Sequence, residues 1–243
     1  MILRITDKDK FLNNFIGPLS KVTDSAVLKL TKGSISCLVS TSDNTIIISA
    51  NYSDENIDVE KILNIPDLKK LNRVLQCVEH SDLSLDISSN NINFNSSSLR
   101  FKYHLYDDNI INTPKVNLDK LNSLVFDGQF TLSHSAVINL IKGSTISTDS
   151  NKLYISVKDS TVFGELTDKT RSNVDSYGIQ ISENYTGTQV ALPIPLNFEI
   201  FRIISSMRFK DISANLITKM GVLTFDLNLD NSKFKFLISA LSN

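Results

Sequence analysis

Three histidines, His80, His104 and His134, and two cysteines, Cys37 and Cys77, are the side chains best suited to hold a metal or attack a substrate. The histidines fall in different elements without metal-ligand spacing, and the cysteines are too few and too far apart for a zinc site or a disulfide framework. Both cysteines lie among apolar neighbours and read as core. There is no nucleophile elbow, and the Lys-Gly pairs belong to no Gly-rich phosphate loop. The sequence therefore predicts a protein that is not an enzyme and uses no metal or cofactor. What remains is ionic chemistry: Lys and Arg at helical spacing, opposite apolar stripes.

Composition narrows the classes. The 243 residues are 41 % hydrophobic and 21 % charged, enough for one large or two medium globular domains. No apolar run reaches the roughly 20 residues that span a bilayer, and Met1 to Asp7 carries no signal-peptide pattern. A reducing, cytoplasmic setting with no membrane association is expected. The net charge of −1 argues against a protein basic all over, and leaves room for a basic patch balanced by acidic surface. Abundant Asn, Ser, Ile and Lys with no Trp matches an AT-rich genome such as a phage's, in which case the cytoplasm is that of an infected host cell.

The elements that must position those cations are mostly strands. Short β-rich runs are expected at 27–30, 35–40, 45–50, 83–87, 91–94 and 99–105, punctuated by Lys32-Gly33 and Ser42-Asp43-Asn44. They resume at 123–130, 153–157, 162–166, 177–181, 212–218, 222–229 and 234–241. Between the two groups, Asp107 to Asn122 loses periodicity and carries Pro114. It reads as a linker, long enough to suggest a function of its own. The expected domains are residues 1–106 and 123–243, joined by linker 107–122.

Four segments carry helical signals. Asp7 caps a helix with Phe11, Leu12 and Phe15 inward, expected to end at Gly17-Pro18. Pro66 opens a second, with Leu68, Leu71, Leu75 and Val78 on one face. Ser133 caps a third with Val137, Leu140 and Ile141 inward and Gly143 past its end. The fourth follows Pro195, with Ile200, Ile204 and Met207 on one face.

These helices form two matching pairs. Asp7, Phe11 and Gly17 stand 126 residues before Ser133, Val137 and Gly143 (137 − 11 and 143 − 17). Pro66, Arg73 and Leu75 stand 129 before Pro195, Arg202 and Ile204 (202 − 73 and 204 − 75). Such self-similarity marks a duplicated unit. In this order of elements the chain resembles the DNA sliding clamps, in particular those of T-even-like phages and the proliferating-cell nuclear antigens of eukaryotes and archaea. The resemblance covers the whole chain and is one of architecture, because the family has no short diagnostic motif.

The resemblance implies an α+β protein of the DNA-clamp fold, with two topologically similar β-rich domains of two helices each, forming a ring. A six-domain ring needs three two-domain chains, so a homotrimer is expected. It would encircle duplex DNA without sequence preference and tether a DNA polymerase as a processivity factor in DNA replication, with a clamp loader as second partner. The helices would line the hole and offer Lys8, Lys10, Lys69, Arg73, Lys142, Arg202 and Arg208 to phosphates. The alternative for each is an ordinary solvated helix face. Tyr106, Ile110, Ile111 and Pro114 would border the partner-docking pocket; otherwise Ile110 and Ile111 pin the linker to the core. Subunits would join through edge strands, with Arg100, Phe101, Lys102 and Tyr103 on one and Tyr177, Ile179 and Ile181 on the other. The rival function is a strand-rich oligomeric virion component with no DNA role.

Overall fold

The computed structural model describes residues 1–116, 123–147, 150–171 and 173–241. Of the linker expected at 107–122, residues 117–122 lie outside this description. The chain divides into two compact units. The first comprises Met1–Ser42, Ile48–Pro114 and Asn228–Phe234; the second comprises Asp43–Ile47, Lys115–Leu227 and Lys235–Asn243.

In the first unit the strands are β1 (Ile2–Ile5), β2 (Ala26–Thr31), β3 (Ser34–Ser40), β4 (Ile46–Ser53), β5 (Lys61–Ile65), β6 (Leu83–Ile87), β7 (Asn91–Asn95) and β8 (Arg100–His104). Their hydrogen-bonded orders are β1-β6-β7-β8 and β5-β2-β3-β4. Strict alternation drives this: β3 and β6 bury every second residue, so each sheet has one apolar face to cover. β5 escaped sequence reading because its last three residues, Leu63, Asn64 and Ile65, are all buried and show no period of two.

Helices cover the apolar faces. Asp7 is the N-cap of α1 (Lys8–Phe11), its carboxylate accepting the Lys10 N–H at 2.9 Å. The helix does not stop at Gly17-Pro18 as expected. It continues through a π-helical turn, Leu12–Ile16, into α2 (Gly17–Leu19). The Gly17 N–H donates to Leu12 O, five residues back, and a Cβ on Gly17 would sit 2.8 Å from that oxygen. Pro18 then falls in the first turn of α2. Phe11, Phe15, Tyr52 and Phe234 form the aromatic centre, with Phe11 and Phe15 stacked at 5.7 Å and Tyr52 edge-on to Phe11 at 5.1 Å. The next helix, α3 (Leu68–Gln76), is capped by Asp67, which accepts the Lys70 N–H at 2.8 Å. Leu68, Leu71, Leu75 and Val78 are buried, as their spacing requires.

The second unit contains β9 (Gly128–Ser133), α4 (His134–Gly143), β10 (Lys152–Lys158), β11 (Thr161–Leu166), β12 (Tyr177–Ser182), β13 (Thr186–Gly187), β14 (Ile194–Asn197), α5 (Glu199–Ile204), β15 (Asp211–Ile217), β16 (Val222–Asn228) and β17 (Ser232–Ser239). Its sheets run β12-β11-β10-β14 and β13-β9-β15-β16-β17. Ser133 caps α4 by accepting the Ala136 N–H at 3.2 Å, but Gly143 is the last residue of that helix and not the one after it. β9 starts at Gly128, not at Ser123, because Asp127 is held in a turn by the Thr218 N–H and hydroxyl, both at 2.8 Å. Pro195 does not open a helix: it lies in β14, the outer strand of its sheet, where a missing donor is tolerated. The helix begins later, at Glu199.

The fold is thus α+β, strand-dominated, with helices packed on the sheets of each unit. Among the described residues no helix is long and apolar enough to cross a membrane.

Two hydrogen bonds of a single side chain join sheet to helix in the first unit. The Tyr103 hydroxyl on β8 donates to Asp67 O at 2.7 Å and accepts the Asp67 N–H at 3.1 Å. Tyr103→Phe leaves both backbone groups without this partner. It should lower unfolding free energy by about 1–2 kcal/mol, measured by denaturant titration; an unchanged midpoint would contradict this role.

Candidate nucleic-acid interface and subunit edges

Each unit brings its two helical segments together: the π turn packs against α3, and α4 packs against α5. Since the apolar stripes face the sheets, the outward positions are decided by sequence. On α3 they are Lys69, Arg73 and Gln76, all exposed; on α4 they are Ser135, Asn139 and Lys142, also exposed and at the same spacing of four and three. The two stripes share a geometry but differ in charge.

The other predicted cations have different surroundings. Lys8 leaves the outward set: it is only 8 % exposed and its ammonium donates to Val78 O inside the first unit. A Lys so placed hides its charge on a helix-end carbonyl, which the sequence pattern of α1 could not reveal. Lys10 is half-buried and paired with Asp230 at 3.3 Å and Asp7 at 3.9 Å. Lys69 pairs with Asp24 at 2.9 Å, both exposed. Arg202 is engaged locally, with Glu199 at 2.9 Å, Asn151 at 2.7 Å and the Phe198 ring 5.0 Å beneath its guanidinium. Arg208 is exposed in the turn between α5 and β15. Lys70, exposed on the flank of α3, was not picked out from the sequence; its position one residue from Lys69 was the signal.

Both predicted edge strands are edges. β8 is the outer strand of one sheet in the first unit and β12 the outer strand of one sheet in the second. In β8 the Leu105 N–H just beyond its end donates to Asn90 O at 2.8 Å. By the alternation of an antiparallel ladder, Phe101 and Tyr103 also face β7, and the backbone groups of Arg100, Lys102 and His104 point outward. The side chains of these three are exposed, Arg100 and Lys102 bringing two cations to the edge, while Phe101 stacks on Phe94 at 5.5 Å and Tyr103 is buried. In β12, Ile181 is buried and Tyr177 is half-buried against Gly143, where an added Cβ would collide with its ring. The side chains of Tyr103 and Ile181 therefore face the core. The exposed positions of β12 are Gly178 and Gln180, the latter donating to Glu183 at 2.6 Å. Phe163 on β11, 37 % exposed, lies opposite Gln180 next to a register shift.

The loop after β8 is tied down at its start. The Tyr106 N–H donates to Asn64 O at 2.9 Å, and the Asn64 amide donates to Asp108 at 2.9 Å. Ile111 is half-buried in a small cleft with Val27, Leu38 and Val39. Between these anchors Ile110 is 55 % exposed and Tyr106 45 %; Pro114 is half-buried. The paired Ile110 and Ile111 thus have unlike environments. Ile62, 54 % exposed on β5, joins Tyr106 in a second cleft that sequence reading missed along with β5.

The residues considered first for chemistry stay apart. His80 and His104 are exposed, and His134 lies edge-on to Phe209 at 4.9 Å. Cys37 is buried, which pushes its thiol up to about 12. Cys77 is exposed, contrary to the core placement expected for both cysteines: it follows α3 on the side away from Leu75 and donates to Arg73 O at 3.3 Å.

No family model and no curated protein matches the chain. Solved structures do. The PCNA2–PCNA3 complex of Sulfolobus tokodaii is similar at 15 % identity and TM-score 0.73, over 99 % of each chain. A. fulgidus PCNA, solved with the C-terminal region of FEN-1 bound, is similar at 11 % identity and TM-score 0.75, over 100 % of this chain and 98 % of that one. A putative DNA polymerase III beta subunit of Eubacterium rectale is similar at 11 % identity and TM-score 0.76, over 100 % of this chain and 66 % of that one. From end to end, the chain has the sliding-clamp fold shared by the proliferating-cell nuclear antigens and the polymerase III beta subunits.

Proposed function

We propose that the chain is a DNA sliding clamp, which closes as a ring on duplex DNA and tethers a replicative DNA polymerase without catalysing a reaction itself. The observation that carries this is the likeness of fold to clamp proteins along the whole chain, with both ends included. In this reading residues 1–106 and 123–243 are two clamp domains joined by 107–122, and three chains make a six-domain ring in the cytoplasm where replication occurs.

The charge of the edges supports head-to-tail closure. Two β8 strands side by side would oppose Arg100, Lys102 and His104 with their own copies. β12 instead presents Gly178 and Gln180 with Glu183 nearby, so β8 of one copy fits β12 of the next. A heterologous contact of this kind closes into a ring when its rotation permits. Phosphates would meet Lys69, Arg73, Lys142 and Arg208 on the helix side of the units. Polymerase and clamp loader would dock by short peptides at the loop holding Tyr106, Ile110, Ile111 and Pro114. The FEN-1 segment bound to the A. fulgidus protein is a precedent for a peptide partner.

The direct test is polymerase extension of a primed circular template. Wild-type protein with polymerase and loader should lengthen the products; no effect at saturating clamp would sink the proposal. Assembly is tested by Lys102→Pro, which removes an outward-facing N–H and spares the inward ladder. Native mass spectrometry should show a trimer for wild type and monomer for the variant; a monomeric wild type at micromolar concentration contradicts ring closure. For the loop, Ile110→Ala should weaken polymerase binding by about 1–2 kcal/mol, roughly five- to thirtyfold, at unchanged melting temperature. Ile111→Ala, in the cleft, should instead lower the melting temperature. The reverse pattern would move docking away from Ile110.

A further inference from the structure

We propose that phosphate contact is concentrated on α3, one patch per chain, and that Lys70 acts there beside Lys69 and Arg73; this rests on the clamp reading above. Between Leu68 and Gln76 the helix carries these three cations and no acidic side chain. All three are exposed. At roughly 100° per residue, Lys69 and Arg73 project within about 40° of each other and Lys70 about 60° beyond Arg73. Together they cover the side of the helix opposite Leu68, Leu71 and Leu75.

Among the described residues, no other helical segment matches this. On α1, Lys8 is buried on Val78 O, Lys10 is shared between two aspartates and Asp9 is exposed. On α4, Lys142 stands alone beside Ser135 and Asn139. On α5, Arg202 and Glu199 cancel, and Arg202 is further held by Asn151 and the Phe198 ring. A phosphate approaching α5 must break up these contacts and sit beside a carboxylate. One approaching α3 meets three donors, of which Lys69 has an exposed ion pair to Asp24, a kind of pair that is weak and readily exchanged. The occupant is the phosphate backbone of duplex DNA, whose closely spaced charges suit several cations on one helix side. The duplication that aligns Arg73 with Arg202 therefore does not duplicate the contact.

The test compares two triple variants of the whole protein binding a short duplex, followed by fluorescence anisotropy between about 50 and 200 mM salt. Lys69→Ala/Lys70→Ala/Arg73→Ala should lose about tenfold or more at low salt and flatten the plot of log affinity against log salt by roughly 2–3 for each chain engaged. Lys142→Ala/Arg202→Ala/Arg208→Ala should lose clearly less, and Lys70→Ala alone should flatten the slope. The charge-keeping triple Lys69→Arg/Lys70→Arg/Arg73→Lys should bind like wild type. Equal losses from the two alanine triples, an unchanged slope for Lys70→Ala, or failure of the charge-keeping triple would overturn the concentration on α3 while leaving the clamp reading intact. A wild type with no salt-dependent duplex binding, and no polymerase stimulation, would overturn both.

Discussion

What the helices of this protein present outward follows from their need to bury an apolar stripe. Leu68, Leu71 and Leu75 on α3, and Val137 and Leu140 on α4, are almost fully withdrawn from water. Each such side chain contributes on the order of 1.5–3 kcal/mol of transfer free energy. No surface interaction of comparable size competes, so the rotation of each helix is settled by its stripe. The opposite residues are then carried to the open side whatever their type. A protein can vary those residues at little cost to its fold, and here the two units have done so: Lys69 and Arg73 on one, Ser135 and Asn139 on the other.

The strand edges obey a different constraint. An outer strand keeps a row of donors and acceptors that water satisfies poorly once a matching edge is offered. Natural proteins guard such rows with charge. The exposed cations Arg100 and Lys102 discourage self-pairing of β8 and leave the strand open to a partner edge without cations. In the proposed ring, specificity of assembly would be set by repulsion of the wrong partner as much as by attraction of the right one. The buried Tyr103, bonded to both backbone groups of Asp67, ties this edge strand to the cap of α3. One hydroxyl thus connects this outer strand to the helix with the highest charge in its unit.

Much of this was legible in the sequence. Amphipathic spacing placed the stripes of α3 and α4, alternation located most strands, and the equal offsets between halves disclosed the duplicated plan. The failures have physical causes. Pro18 and Pro195 look like helix boundaries, but a π turn ahead of one and an outer-strand position for the other let the chain continue. β5 carries three consecutive buried residues and so lacks a two-residue period. Lys8 looks solvent-facing in a helical projection, yet its long stem reaches a carbonyl at Val78. Arg202 aligns with Arg73, but Glu199, Asn151 and Phe198 meet it only in the folded unit. Periodicity reports which way a residue faces and is silent about what it meets there.

A closed ring holds DNA by enclosing it, so for the proposed clamp retention would depend on DNA ends more than on affinity. The most direct measurement loads the protein on a nicked circular plasmid with its loader, isolates the complex by gel filtration at moderate salt, and then linearises the DNA with a single restriction cut. The account predicts that protein stays with the circle and is lost from the linear molecule within the time it takes to slide off an end. Equal retention on circular and linear DNA, or equal loss from both, would contradict it.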